Sequence, residues 1–468
     1  MNNPLGLGRC VYRKVLQETP PPPTKKIVDS KSMSDKAAKL NAQCNCISVD
    51  KQKLDIEVHR LISDLDLADS TATTIGSMLS SSGVFIDQAA LDQMKALVKA
   101  VYKVCEMPLF QKLVLEQAPS IARHQQSTSG VFYGFDFHLG VNGPQLIEIN
   151  TNAGGAMISA LEIGASKNCC EPVERRLGAR NMPNEIYETF LDMFTREWRS
   201  FNRDPSAQLK TIAIVDESPT EQFLYPEFQL FQALFQKHGI TTIITSPDGL
   251  VIKDQKVYFG EVQIDLIYNR TTDFYFQGSS YEALRDAYLQ DLVAITPNPF
   301  NHAVFANKDN LCILSNREHL DSLGVDLAIQ EILLSHIPET VKVSSKNEES
   351  LWTNRKEYFF KPSQGYGSRA VYRGDKLTKG VWGQIKDKSY IAQKVIPPSK
   401  RTIKIDGNEA DLKVDIRDYV FEGNSLISVT RIYQGQTTNL RTLGGGFKIS
   451  LIAINLDGLR HNLNFYLL

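Results

Sequence analysis

The chain is poor in the features that mark several specialised protein classes. Its seven cysteines (Cys10, Cys44, Cys46, Cys105, Cys169, Cys170 and Cys312) among 468 residues are too sparse and uneven for a disulfide framework, so a reducing, cytoplasmic setting is expected. Cys44-Asn45-Cys46 and the vicinal Cys169-Cys170 lack a second Cys/His pair at zinc-site spacing and read as buried or incidental thiols. No stretch approaches the roughly 18 apolar residues of a membrane span, and the N-terminal segment has no continuous apolar core, so no membrane partner is expected. A basic footprint is also missing. Lys and Arg number 52 against 53 Asp and Glu, and no basic run exceeds scattered pairs such as Lys25-Lys26, which argues against nucleic acid as a partner.

What is present is a globular composition, 42% hydrophobic, in a chain too long for one ordinary core. Residues 1–50 carry Pro20 to Pro23 and few large apolar side chains, the composition of a tail unable to offset its ordering entropy. In 51–205, Leu91, Met94, Leu97, Val98, Val101 and Val104 recur at helical spacing, as do Ile186, Phe190, Leu191, Phe194 and Trp198. Residues 206–300 alternate strands and a helix: Thr211 to Asp216, Phe228 to His238, Thr241 to Thr245 and Val262 to Asn269. That order predicts a small doubly wound α/β unit. Arg270 falls at a strand's carboxyl end, where such units bind ligands, although a solvated surface charge would look the same. In 301–468, Leu412, Val414 and Ile416 alternate with Lys413, Asp415 and Arg417, which puts the three charged residues on one face of a strand.

Two segments carry the chemistry. Gly134-Phe135-Asp136-Phe137-His138 and Leu146-Ile147-Glu148-Ile149-Asn150 read as a β-hairpin. Asp136, Glu148 and Asn150 supply the oxygen ligands that magnesium takes alongside phosphate and water. Glu148 and Asn150 share a face; for Asp136 to join them, the hairpin needs an odd-length loop around Val141-Asn142-Gly143 or a bulge. The second segment runs from Tyr358-Phe359-Phe360-Lys361-Pro362 into Ser363-Gln364-Gly365-Tyr366-Gly367-Ser368. It ends a strand on a lysine and a small-residue loop that lets backbone N–H groups approach phosphate oxygens. Taken alone, that loop is equally a plain glycine-bearing hairpin. Arg441 and Gly444-Gly445-Gly446 add a guanidinium and a second flexible loop.

Together these motifs resemble the ATP-grasp superfamily. The acid-bearing strands come before the lysines, as in the circularly permuted arrangement of eukaryotic-type glutathione synthetases and glutathionylspermidine synthetases. The resemblance spans roughly Val131 to Phe447 and implies a mixed α/β (α+β) permuted ATP-grasp with an inserted α/β substrate domain at 206–300. The metal hairpin would fall in 51–205, and the lid, hinge and phosphate loops in 301–468.

The resemblance also assigns sites. It implies ATP and Mg2+, two ions, as cofactors, with Asp136, Glu148 and Asn150 as metal ligands. Lys308 and Lys361 would be the two ATP lysines, and Gln364, Gly365, Gly367 and Ser368 the phosphate-covering loop. Gln393, Lys394, Val395 and Ile396 would form the adenine hinge, with Lys413 nearby. Arg431, Arg441 and Lys361 would serve catalysis, and Arg270 with Gly444, Gly445 and Gly446 the substrate. The implied activity is ligation of a small-molecule carboxylate to an amine or thiol through an acylphosphate. A small-molecule kinase and a non-catalytic nucleotide-binding scaffold are the alternatives, and a homodimer is compatible. The chain departs from glutathione synthetases in three places. Gln364 stands where they have a loop acid, Gly134 where they have an arginine, and Gln393 or Lys394 where they have a hinge acid.

Overall fold

A computed structural model describes residues 30–43, 50–140, 142–169, 182–365, 370–405 and 408–452. At its centre is a seven-stranded sheet whose strands come from both ends of that range. In order across the sheet they are Val84–Ile86, Gly446–Ile452, Asn424–Tyr433, Asn408–Phe421, Tyr133–Gly140 and Gly143–Asn150, with Ser399–Ile405 also pairing on Asn408–Phe421. The alternation expected around Asp415 is present. Leu412 and Val414 enter a cluster with Val84, Ile403 and Ile432, while Asp415 and Arg417 turn to the opposite face, where the ion pairs lie.

Helices cover the sheet. Gln88–Cys105 carries the predicted stripe, and Leu91, Met94, Leu97, Val98, Val101 and Val104 are all buried in it. Met182–Asn202 presents Phe190 and Phe194 to the core on the other side. Within the expected tail, Ser30–Gln43 forms a helix. Its Asn41 exchanges two hydrogen bonds with the backbone of Phe85, both 2.9 Å, and its carbonyl accepts from Arg401. These polar anchors revise the tail reading over that stretch, because a count of large apolar side chains does not register them.

The α/β unit has four parallel strands in the order Ala294–Thr296, Leu266–Asn269, Thr211–Val215 and Thr241–Thr245. Val262–Gln263 belongs instead to a separate antiparallel meander with Val251–Lys253 and Lys256–Phe259, so the last predicted strand is shorter. Ala294–Thr296 is too brief to show a sequence period. A further four-stranded sheet (Thr340–Lys342, Tyr390–Lys394, Tyr358–Pro362 and Tyr372–Arg373) packs on its own small core of Leu351, Phe360, Leu377, Trp382, Ile385, Tyr390 and Ala392. No helix among the described residues is long and apolar enough to cross a membrane.

Gly446 opens the strand Gly446–Ile452 at φ +124°, and a Cβ there would stand 2.2 Å from the Met78 carbonyl oxygen. Backbone fills that space, so Gly446→Ala will lower stability by about 2–4 kcal/mol. Urea denaturation measures it, and a loss below about 0.5 kcal/mol would mean that the Met78 turn yields freely.

Candidate functional site

The hairpin meets its predicted geometric condition through a bulge. Asp136 pairs directly with Glu148, but the next pair is Phe137 with Leu146, which leaves Ile147 as the extra residue. Asp136 and Glu148 therefore share a face. The Ile147 carbonyl, freed from the ladder, accepts a hydrogen bond from Lys361 Nζ at 2.8 Å.

Two lysines from separate elements approach the strand of Glu148. Lys308, beyond the segment His302–Ala306, places Nζ 3.1 Å from Glu148 Oε1 and donates to the Gly365 carbonyl at 2.7 Å. Lys361, on the strand Tyr358–Pro362, bonds Ile147 as above and also donates to Gln393 Oε1 at 2.8 Å. Burial raises the Glu148 pKa, but Lys308 and then Lys361 outweigh it and hold the carboxyl below its ordinary range. Burial pushes Lys361 down to about 8, with Glu148 opposing and Lys308 reinforcing the fall. Glu148, Lys308, Lys361, Gly365 and Gln393 line one cavity with Asp136 and Arg431.

Asp136 is bound on both oxygens. Arg417 grips it bidentately, Nε to Oδ1 at 2.6 Å and Nη2 to Oδ2 at 2.7 Å, and Arg431 Nη2 lies 3.0 Å from Oδ2. Asn150 Nδ2 adds a bond of 3.3 Å to Oδ2. Burial raises the Asp136 pKa, but Arg417 and then Arg431 outweigh it and keep the acid ionised. On its far side Arg431 bonds Asp415 at 2.6 Å, and Asp415 also accepts from Thr438. Gly134 makes room for this arrangement: a Cβ there would stand 2.6 Å from the Ala153 Cβ and 3.1 Å from Arg417 Nε.

This geometry bears on magnesium. The ion binds through one or two carboxylates together with phosphates and water. The partly exposed Glu148 carboxylate and the Asn150 side-chain oxygen suit such an ion. Asp136, the third expected ligand, has hydrogen bonds from arginine on both of its oxygens. Among the described residues no cluster of three or more acidic, His or Cys side chains could hold a metal unaided.

The remaining expected residues divide. Lys394 and Ile396 line the same cavity, and the Ile396 carbonyl accepts from His138 Nδ1 at 2.7 Å, a structural bond. Val395 spends its N–H on the Glu357 carbonyl. Gln364 borders an adjoining cleft with Asp309, Lys342 and Ser389. Gly367 and Ser368 lie outside the described residues. Lys413 donates to the Gly435 carbonyl.

Arg270 is neither a surface charge nor a neighbour of the two lysines. It is buried, donates to the Tyr268 hydroxyl at 2.9 Å and pairs with Glu227 at 3.5 Å. Glu227 in turn accepts from the N–H groups of Gly155 and Met157 at the start of the helix Ala156–Cys169. Arg441 is exposed, with its guanidinium 4.8 Å from the Phe223 ring centre. Gly444 meets Ile403 and Ile405, Gly445 meets Ile432 and Thr442, and Gly446 meets Met78, so these contacts account for the three glycines through packing.

Arg417, Phe359 and Tyr433 are site residues beyond the expected set. The alternation around Asp415 placed Arg417 on the correct face, but its contact with Asp136 depends on which strands are neighbours, and that is not a local property.

No protein-family model matches the sequence, and no curated protein matches it. Among solved structures, a glutathione synthetase-like effector from Globodera pallida in its apo form matches with a TM-score of 0.52 at 10% identity, covering 87% of this chain and 99% of that one. A protein assigned as a gamma-glutamylcysteine synthetase from Methylobacillus flagellatus KT matches with a TM-score of 0.42 at 11% identity, covering 77% and 87%. Of the two, the first supports a shared architecture. The mixed α/β fold is similar to that of the glutathione synthetase-like effector.

Proposed function

We propose that the protein is an ATP- and magnesium-dependent ligase that joins a small carboxylate to an amine or thiol through an acylphosphate. The observation that carries this reading is the convergence of two lysines from separate elements on the Glu-x-Asn strand, Lys308 on the Glu148 carboxylate and Lys361 on the adjacent Ile147 carbonyl. Phosphoryl transfer to a carboxylate requires positioning and charge neutralisation rather than a protein nucleophile. In this reading the two lysines hold the phosphates, Arg431 faces the developing charge, and Glu148 with Asn150 would hold one magnesium ion, which neutralises phosphate charge when bound. Arg417 keeps Asp136 ionised, and Asp136 orients Arg431.

The cavity encloses about 90 Å³, well below the roughly 300 Å³ of small ligand pockets. Nucleotide entry therefore requires the lid sheet to lift, and its separate core lets it move as a unit. Lifting breaks the bond from Lys308 to Gly365 while the hairpin stays in place.

The decisive experiment incubates the protein with ATP, magnesium and metabolite mixtures, follows ADP release and identifies products by mass spectrometry. A ligase needs both a carboxylate and an amine or thiol for ADP release. Release with a hydroxyl acceptor alone would make it a kinase, and binding of ATP without any turnover would make it a scaffold.

The state of Lys361 adds a pH dependence. Below about 8 the ammonium is present in the free protein; above it, triphosphate binding must first take up a proton. Affinity will therefore fall as pH rises through that value, and Lys361→Arg, which stays charged, will flatten the profile. Calorimetric titration across the neutral-to-alkaline range checks this, and identical profiles for the two proteins would remove Lys361 from the phosphate site.

A further inference from the structure

One buried group in the cavity has no partner inside the protein. Gln393 is 2% exposed and sits on the lid strand Tyr390–Lys394, directly across from Phe359. Its Oε1 accepts from Lys361 at 2.8 Å, whereas its Nε2 has no hydrogen-bond partner. A flipped amide is ruled out by chemistry: the Lys361 ammonium only donates, so it requires the oxygen and leaves the NH2 group unpaired on a residue that lines the cavity. A buried amide donor left unpaired is costly, which marks the place where a ligand acceptor belongs.

The cavity is polarised, and this fixes which part of a ligand meets Gln393. Lys308, Glu148, Asp136, Arg431 and Gly365 form its charged end, while Phe359, Val371 and Ile396 supply apolar wall on the lid side. Phe359, Lys361 and Gln393 share one face of the lid sheet, because Lys361 is two residues beyond Phe359 and Gln393 is the cross-strand partner of Phe359. A nucleotide with its phosphates on Lys308, beside Glu148, therefore places its base against Phe359 and Gln393.

Lys361 uses two of its three N–H groups, on Ile147 and Gln393, and the third is left for phosphate, so the polar group at the base end is the Gln393 donor. The exposed edge of a 6-oxopurine presents two adjacent acceptors, N7 and O6. A 6-aminopurine presents one acceptor beside a donor. We propose that Gln393 makes this pocket selective for a 6-oxopurine nucleoside triphosphate over its 6-amino counterpart. The proposal rests on the nucleotide reading above and refines it.

The test compares three probes, each with magnesium, on the full-length protein: ITP, ATP and inorganic tripolyphosphate. ITP and ATP share everything but the group at position 6, which Gln393 would read, and the proton on N1. Calorimetry on the wild type should show ITP binding roughly ten- to hundredfold tighter than ATP, with tripolyphosphate weaker than either. Gln393→Glu, which supplies an acceptor and a charge partner for Lys361, should reverse the order. Gln393→Met, which supplies neither donor nor acceptor, should bring the two nucleotides close together and covers the case in which the acid variant does not fold. ATP binding as tightly as ITP in the wild type overturns the selectivity, since the amide would then read adenine through both of its atoms; the nucleotide site itself would stand. An ITP preference that survives both substitutions assigns it elsewhere and overturns the role of Gln393. No binding of any of the three probes at millimolar concentration overturns the proposal together with the nucleotide reading.

Discussion

Arg417→Met will lower the stability of the protein by about 3 kcal/mol, the scale expected when a buried acid loses its partner. Asp136 is 3% exposed, and Arg417 supplies two of its short bonds. Arg431 remains on Oδ2 after the substitution, which keeps the loss toward the lower end of the range for breaking a buried pair. Asp136→Asn combined with Arg417→Met should cost clearly less than the two single changes added together, because no stranded charge remains. Denaturant titration of the two single variants and the double variant measures this. Additive losses, or a single-variant loss below about 1 kcal/mol, would show that water or backbone movement satisfies Asp136 without Arg417.

The second large effect falls on chemistry. Glu148→Gln will reduce turnover about a hundredfold, near 3 kcal/mol of barrier, while the fold survives. Glu148 is the carboxylate of the hairpin whose oxygens are not both held by arginine. Lys308, its 3.1 Å partner, can donate to the amide oxygen of glutamine instead, so no buried cation is stranded. The variant should therefore melt close to the wild type but gain far less than the wild type when magnesium is added to ATP. An unchanged turnover number would take the metal away from Glu148.

The elements of this site were legible in the sequence to different depths. Periods of two and of 3.6 were enough for the helix Gln88–Cys105, the parallel strands at 211 and 241 and the charged face around Asp415, because each is a local pattern. The parity of the hairpin demanded a bulge or an odd-length loop, and the bulge at Ile147 satisfies it. The clamp on Asp136 was hidden, since a free carboxylate and one held by two arginines look the same until the strand bearing Arg417 and the strand bearing Arg431 lie beside it. Gly444 to Gly446 were ambiguous for a related reason. A glycine run suits a phosphate loop and also suits a crossing where the backbone of Met78 and the side chains of Ile403 and Ile405 leave no space for a Cβ. Asn41 shows the same limit at the other end of the chain, because its two bonds to Phe85 join residues distant in sequence.

The order of strands across the central sheet has a consequence for how the molecule is made. Val84–Ile86 pairs in parallel with Gly446–Ile452, and the hairpin of Asp136 and Glu148 is completed by Asn408–Phe421. On the ribosome, the early strands emerge long before their neighbours exist, and at ordinary synthesis rates the delay is on the order of tens of seconds. During that time the edge of Tyr133–Gly140 is an open template for other chains. The strands of the α/β unit lie close in sequence and can pair first, although they share a core with the rest of the molecule, while the central sheet closes last and slowly because its contacts are so distant in sequence. Expression of this protein should therefore depend on chaperone supply more than on the final stability of its fold.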